Sequence, residues 1–257
     1  MPLIENTLFG QVDRVAIAIE RLQKFEPEEG YWVGISGGKD STVLDSLVRR
    51  SGVKAYFIHS LTTIDAPQTI WHIRKYHKDC EIIHPEMPLM RMMLKKGIPP
   101  MRNRRWCCAY YKERAGRGHF TALGVRRAES TKRVSRKVVE ACYKDDVTKF
   151  INPIVDWSDG DVWQYIRENE LPYNPLYDSP YNFDRIGCVL CPMVRDIERQ
   201  IRFFPKQCKA WKKAIFKLYD QQKKKGKMSH PTPESYWLWW IDRDRKTINP
   251  DQTTIFE

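Results

Sequence analysis

Tyr31-Trp-Val-Gly-Ile-Ser-Gly-Gly-Lys-Asp-Ser-Thr-Val-Leu44 decides the fold. Tyr31 to Ile35 is short, apolar and β-rich, the pattern of a buried strand. Ser36-Gly37-Gly38 turns the chain tightly, because glycine tolerates the required dihedrals and lets backbone come close to a ligand. Asp40 and Ser41 are suitable caps for a helix running through Leu44, Leu47 and Val48. A helix N-terminus behind a glycine turn gathers free N–H groups and a partial positive charge, so it suits phosphate. Lys39 adds a full positive charge. Ser36, Gly37, Gly38, Lys39, Asp40 and Ser41 are therefore the predicted phosphate-binding residues. A bare Gly-Gly turn occurs in many α/β proteins, but six residues in this strand–helix setting are far more specific.

The six residues do not fit the Gly-x4-Gly-Lys-Ser/Thr loop of kinases and motor ATPases. They resemble the PP-loop of ATP pyrophosphatases, enzymes that split ATP between the α and β phosphates.

Working outward, Val12, Val15, Ala16, Ile19, Leu22 and Phe25 recur at helical spacing, so residues 1–30 read as a helical lead-in ended by Glu26-Pro27. Residues 54–60, 80–84 and 120–123 read as further strands, with a helix over 66–76 that has Pro67 in its first turn. Strands alternating with helices imply an α/β, doubly wound, mostly parallel sheet of Rossmann-like type. Ligands of such sheets bind at the carboxyl ends of strands. The fourth strand leads into Gly124-Val-Arg-Arg127, where two arginines beside a glycine suit phosphate or ribose contact. Arg126 and Arg127 join Lys39, Asp40 and Ser41 as candidate catalytic residues, and Gly124 joins the nucleotide-binding set.

Segments 138–143 and 150–155 read as short strands. Ser158, with Asp161 three residues on, caps a helix through Val162 and Ile166. Residues 194–225 read as a basic helical stretch, and the tryptophans at 237, 239 and 240 as core packing more than a stacking surface. The predicted organisation is a nucleotide-binding domain over 1–192, carrying the cysteine site, and a C-terminal helical extension over 193–257 packed on it.

Lys and Arg total 44 against 32 Asp and Glu, a net charge of +12. That excess favours an anionic partner, and nucleic acid is the usual one. No run of eighteen apolar residues and no secretion signal is present, so a cytoplasmic protein without a membrane span is expected. Seven cysteines, an odd number in a chain of 257 residues, point to a metal or redox site rather than a disulfide scaffold. Cys107-Cys108 and Cys188-x-x-Cys191 form two pairs. Adjacent cysteines strain a mononuclear tetrahedral site, whereas a larger cluster spaces its ligand positions farther apart. Spacing alone leaves zinc and an iron–sulfur cluster both open.

Several segments together resemble the phosphoadenosine phosphosulfate reductase family of the PP-loop superfamily: Ser36–Ser41, Arg105-Trp-Cys-Cys108 with Lys112, Gly124–Arg127 with Ser130 and Arg133, Asn152–Trp157, Asn174-Pro-Leu-Tyr177 and Gly187–Pro192. They span about residues 31–192. In adenylylsulfate reductases of that family, a Cys-Cys pair and a distant Cys-x-x-Cys bind a [4Fe-4S] cluster. The resemblance thus implies a cluster on Cys107, Cys108, Cys188 and Cys191, with zinc as the alternative. Two departures matter. The family's reductases carry a nucleophilic cysteine in a C-terminal Glu-Cys-Gly segment, whereas the last cysteine here is Cys208. Their phosphate loop is usually degenerate, whereas Ser36–Ser41 is complete. Both features are closer to the ATP pyrophosphatase component of DNA phosphorothioation systems and, more loosely, to tRNA-thiolating enzymes.

The resulting expectation is an adenylating enzyme using ATP and Mg²⁺, the latter held by Asp40 and Asp65. It would activate an acceptor, nucleic acid on charge grounds, for sulfur supplied by a cysteine desulfurase or another donor. Homodimerisation is left open. The rivals are a sulfonucleotide reductase that releases sulfite, and a zinc-containing nucleic-acid-binding module without turnover.

Overall fold

The computed structural model describes residues 3–7, 10–142, 147–194 and 196–242. They cluster into two units of interleaved segments. One takes Met1–Leu61, Asp65–His84 and Tyr110–Gly187; the other takes Thr62–Ile64, Pro85–Ala109 and Cys188–Glu257. The sequence reading divides the chain once, after residue 192. The structure instead assigns residues 85–109 to the unit of the C-terminal helices.

The first unit opens with strands β1 (Ile4–Thr7) and β2 (Gly10–Asp13), paired antiparallel, followed by helix α1 (Arg14–Lys24). This corrects the expectation of a wholly helical lead-in. The Asp13 carboxylate accepts from the amides of Val15 and Ala16 at 2.8 and 3.0 Å, which starts the helix after Asp13. Val12 therefore lies in β2 opposite Glu5, off the helical face to which its spacing had assigned it.

The chain continues through β3 (Tyr31–Gly34), α2 (Lys39–Ser51), β4 (Ala55–Ser60), α3 (Pro67–Tyr76) and β5 (Glu81–Ile83). Helices α4 (Leu89–Lys96) and α5 (Trp106–Tyr111) follow, neither anticipated from sequence. Then come β6 (Phe120–Ala122), β7 (Val139–Ala141), β8 (Lys149–Ile151) and α6 (Asp159–Glu168). Six strands form one sheet in the order β5-β4-β3-β6-β8-β7. Every pairing is parallel except β7 with β8. The predicted mostly parallel α/β sheet is therefore present, flanked by helices. Tyr143, assigned to the β7 region from sequence, lies outside the described residues. Beyond Ile151 the chain leaves the sheet in backbone turns, which shortens the strand expected over 150–155. Ser158 and Asp161 cap α6 reciprocally, at 3.1 and 2.7 Å.

Alternate residues of β3, Tyr31 and Val33, are fully buried with Leu44 and Leu47 of α2 and Val162 and Ile166 of α6 in one core. Complete burial of such a side chain contributes on the order of 1.5–3 kcal/mol.

In the second unit, α7 (Ile197–Phe203) and α8 (Pro205–Lys224) replace the single helix expected over 194–225, because Pro205 starts a new helix. Helix α9 (Pro233–Ile241) buries Trp237 and Trp240, and the Trp240 and Trp211 rings lie 4.7 Å apart. The Trp240 indole donates to the Pro100 carbonyl at 2.9 Å, which ties 85–109 to these helices. Core packing thus accounts for two of the three tail tryptophans; Trp239 is exposed. The part of the predicted extension beyond residue 242 lies outside the described residues. No described helix is long and apolar enough to cross a membrane.

His72 on α3 is fully buried, and burial with the nearby His77 lowers its pKa from 6.5 to about 4. The unfolded chain then takes up a proton near pH 6.5 that the folded protein refuses until about pH 4. Stability should fall across that window, by up to about 3 kcal/mol from this residue. Melting temperature against pH checks this: a His72→Phe variant should show a flatter acid limb, and an unchanged limb would exclude His72 as its cause.

Candidate functional site

From β3 the chain steps outward through β4 to β5, then returns to β6 on the other side of β3. A reversal of this kind opens a crevice outside the carboxyl ends of the two strands, where α/β sheets place ligands. The loop 35–38 after β3 and the loop 123–126 after β6 meet at this reversal.

Two glycines make the crevice close-packed. Gly37 has φ +72°, and a Cβ there would lie 2.7 Å from the Thr69 methyl. A Cβ on Gly124 would lie 2.7 Å from the backbone oxygen of Asp40. The sequence reading gave Gly124 to the nucleotide; its nearest neighbour is the phosphate loop itself. Hydroxyls complete the turn. Ser41 Oγ donates to the Gly38 carbonyl at 2.8 Å, and Ser36 Oγ donates to Ser41 Oγ at 3.1 Å.

Segment 174–177 braces the loop from a distant part of the chain. Asn174 Nδ2 donates to the Gly37 carbonyl at 3.0 Å and to Thr69 Oγ1 at 3.1 Å. The Lys39 amide donates to Tyr177 Oη at 2.9 Å. Burial, above all, holds the Tyr177 hydroxyl pKa above the usual phenol value, so it keeps its proton at neutral pH.

The Lys39 side chain is buried, only 7% of the residue being exposed. Its Nζ lies 3.1 Å from Asp159 Oδ1 and 3.3 Å from the Asp184 carbonyl oxygen. The rings of Tyr177 and Trp163 lie 5.4 and 5.9 Å from it, within cation–π range. Asp159, Trp163, Tyr177, Asn182, Phe183 and Asp184 line a cleft of about 330 Å³ beside this ammonium group.

Arg126 is almost fully buried. Its Nε donates to Asp40 Oδ1 at 2.5 Å, one terminal nitrogen to Asp159 Oδ1 at 3.0 Å, and the other to the Trp157 carbonyl at 3.4 Å. Arg126 thus joins the loop residues, while exposed Arg127 donates to the Arg136 carbonyl at 2.8 Å. The structure therefore separates the two arginines that sequence grouped. Asp65 is near enough to His59 to favour its charged form, but burial dominates and lowers the His59 pKa. Asn174, Tyr177, Asp159 and Trp163 were not assigned site roles from sequence. The Asn-Pro-Leu-Tyr segment was visible as a motif, but its position against the loop was not.

Cys107, Cys108, Cys188 and Cys191 all lie in the second unit, and none of them is in a disulfide. The Cys107 thiol pKa is pushed up, first by a hydrogen bond with Cys108, then by burial and by the charges of Cys108, Cys191 and Cys188. Cys107 thus senses the other three thiols. Arg105 sends a guanidinium N–H to Cys108 Sγ at 3.3 Å, and Arg102 Nε donates to the Pro192 carbonyl at 3.0 Å, linking the two cysteine segments. Among the described residues no three His, Cys, Asp or Glu side chains are close enough to hold a single metal ion.

Residues 30–194 match the phosphoadenosine phosphosulfate reductase domain. The chain belongs to this family. Its members are enzymes with a nucleotide-binding fold. The chain is 29% identical over 220 residues to an uncharacterized protein of Methanocaldococcus jannaschii, across 79% of this chain and 50% of that protein. It is 28% identical to adenosine 5'-phosphosulfate reductase 2 of Bacillus subtilis over 169 residues, 62% of this chain and 70% of that enzyme. The chain thus spans about half the length of the archaeal relative. The crystal structure of phosphoadenylyl-sulfate reductase from Candida auris, a phosphate complex, superposes with a TM-score of 0.51 at 22% identity, covering 66% of this chain and 87% of that one. This likeness shows the shared fold.

Gly124→Ala should displace the Asp40 backbone, because the clash is with a carbonyl and not a flexible side chain. The expected result is a lower melting temperature and nucleotide binding at least about tenfold weaker, the effect of roughly 1.4 kcal/mol. Wild-type affinity in a calorimetric titration of this variant would refute the close packing of the two loops.

Proposed function

We propose that this chain is an ATP pyrophosphatase that adenylates an acceptor oxygen and so prepares it for replacement by sulfur. The observation that carries the reading is the complete Ser36–Ser41 loop at the reversal point of the sheet, with the Lys39 ammonium buried beside the cleft. The loop amides and Lys39 would hold the β and γ phosphates and stabilise the departing pyrophosphate. Arg126 orients the loop through Asp40. Asp40, at the start of α2, would supply a carboxylate for Mg²⁺, a hard ion that takes carboxylate and phosphate oxygens. The acceptor oxygen attacks the α phosphorus, the α–β bond breaks and pyrophosphate leaves. The terminal sulfur of a persulfide donor, such as that of a cysteine desulfurase, then attacks the activated centre and AMP leaves with the acceptor oxygen. A thiol reductant cleaves the S–S bond left to the donor cysteine, releasing the thiolated acceptor and the donor thiol.

The +12 charge supports a nucleic-acid acceptor, as in DNA phosphorothioation or tRNA thiolation. If the resident group is a [4Fe-4S] cluster, Cys107, Cys108, Cys188 and Cys191 would hold it, and it would supply sulfur-binding or redox chemistry. A second reading is a sulfonucleotide reductase that releases sulfite. It is supported by similarity to the Bacillus subtilis adenosine 5'-phosphosulfate reductase 2.

Protein purified without oxygen and given ATP, Mg²⁺ and mixed nucleic acid should release pyrophosphate, and Lys39→Ala should reduce this at least about a hundredfold while keeping the fold. Sulfite from adenylylsulfate and a thiol donor, without pyrophosphate, would establish the reductase reading instead. Cys188→Ser should bleach the visible charge-transfer absorbance of a cluster; an unchanged spectrum would remove Cys188 from the ligand set.

A further inference from the structure

We propose that Asp159 is a built-in anion that occupies the phosphate position of the nucleotide site and must swing away when nucleotide enters. The inference rests on the nucleotide-site reading above and adds to it a residue that sets affinity.

The geometry is specific. One carboxylate oxygen, Asp159 Oδ1, lies 3.1 Å from Lys39 Nζ and 3.0 Å from a terminal nitrogen of Arg126. The two cations are themselves buried, with side chains 8% and 2% exposed, whereas the Asp159 side chain is 61% exposed. Asp159 lines the cleft together with Trp163, Tyr177 and Asp184, the residues that surround Lys39 Nζ. An anion bound by two buried cations from the solvent side has the position and charge of a phosphate oxygen. Asp159 is also the first residue of α6, where a side chain makes no helix-ladder contact that its motion would break. Arg126 keeps Asp40 and the Trp157 carbonyl when Asp159 leaves, so only Lys39 loses its main partner.

A resting carboxylate of this kind has two effects. It satisfies the Lys39 and Arg126 charges without ligand. It also competes with the incoming phosphate, so that weak single anions lose and a polyphosphate, making several contacts at once, displaces it.

The rival role for Asp159 is as a magnesium ligand beside Asp40. The two roles predict opposite signs. If Asp159 competes with phosphate, Asp159→Asn should tighten binding of both ATP and inorganic pyrophosphate by about three- to tenfold, the range that two partly exposed ion pairs allow. The gain should appear with Mg²⁺ and with EDTA alike, and it should shrink at high salt. Calorimetric titration of wild type, Asp159→Asn and Asp159→Ala with each ligand reads this directly, with melting curves confirming that each variant is folded. Unchanged affinity in both variants would overturn the inference and leave the nucleotide site standing. Weakening seen only with Mg²⁺ would overturn it in favour of a metal ligand. If wild type and both variants all fail to bind ATP and pyrophosphate, the nucleotide-site reading falls, and this inference with it.

Discussion

The Arg126 guanidinium is the interaction on which the site depends. It joins the loop after β6 to two distant parts of the chain: Asp40 on the phosphate loop, and the opening of α6 through Asp159 and the carbonyl of Trp157. A buried arginine is stable only while its charge is paired, and removing one partner of a buried pair typically costs about 3–5 kcal/mol. The loop after β3, the loop after β6 and the head of α6 are therefore fixed against one another by one side chain. Gly124 allows the approach because nothing larger fits against the Asp40 backbone. Lys39 is then oriented by default, its amide on Tyr177 and its ammonium on Asp159.

The parallel sheet and the phosphate loop were legible in the sequence because both rest on local signals. Tyr31 to Val33 is a short apolar strand, and Gly37 needs a positive φ that glycine supplies. The α6 cap was legible for the same reason, since Ser158 and Asp161 are three residues apart. The helical lead-in failed because Val12 fits a helical spacing equally well, and only the Asp13 cap shows where the helix begins. The partners of Lys39 could not be read from sequence at all. Tyr177 and Asp184 are more than a hundred residues away, and their contacts are consequences of tertiary packing.

The cysteines show the same limit from another side. Their pairing was visible as two motifs, and the structure places all four in one unit. That unit contains residues 85–109 as well as the C-terminal helices, so the division of the chain follows tertiary contacts such as Trp240 to Pro100, not a composition boundary. Within that unit Arg105 donates to Cys108 Sγ.

The proposed role of the loop around Lys39 is to direct cleavage to the bond between the α and β phosphates. The most direct measurement is to incubate the intact protein with doubly labelled ATP and Mg²⁺, with and without nucleic acid, and to identify the labelled products. The expected products are AMP and pyrophosphate in equal amounts, or an adenylylated acceptor with pyrophosphate. ADP and orthophosphate would show cleavage at the β–γ bond and contradict this role.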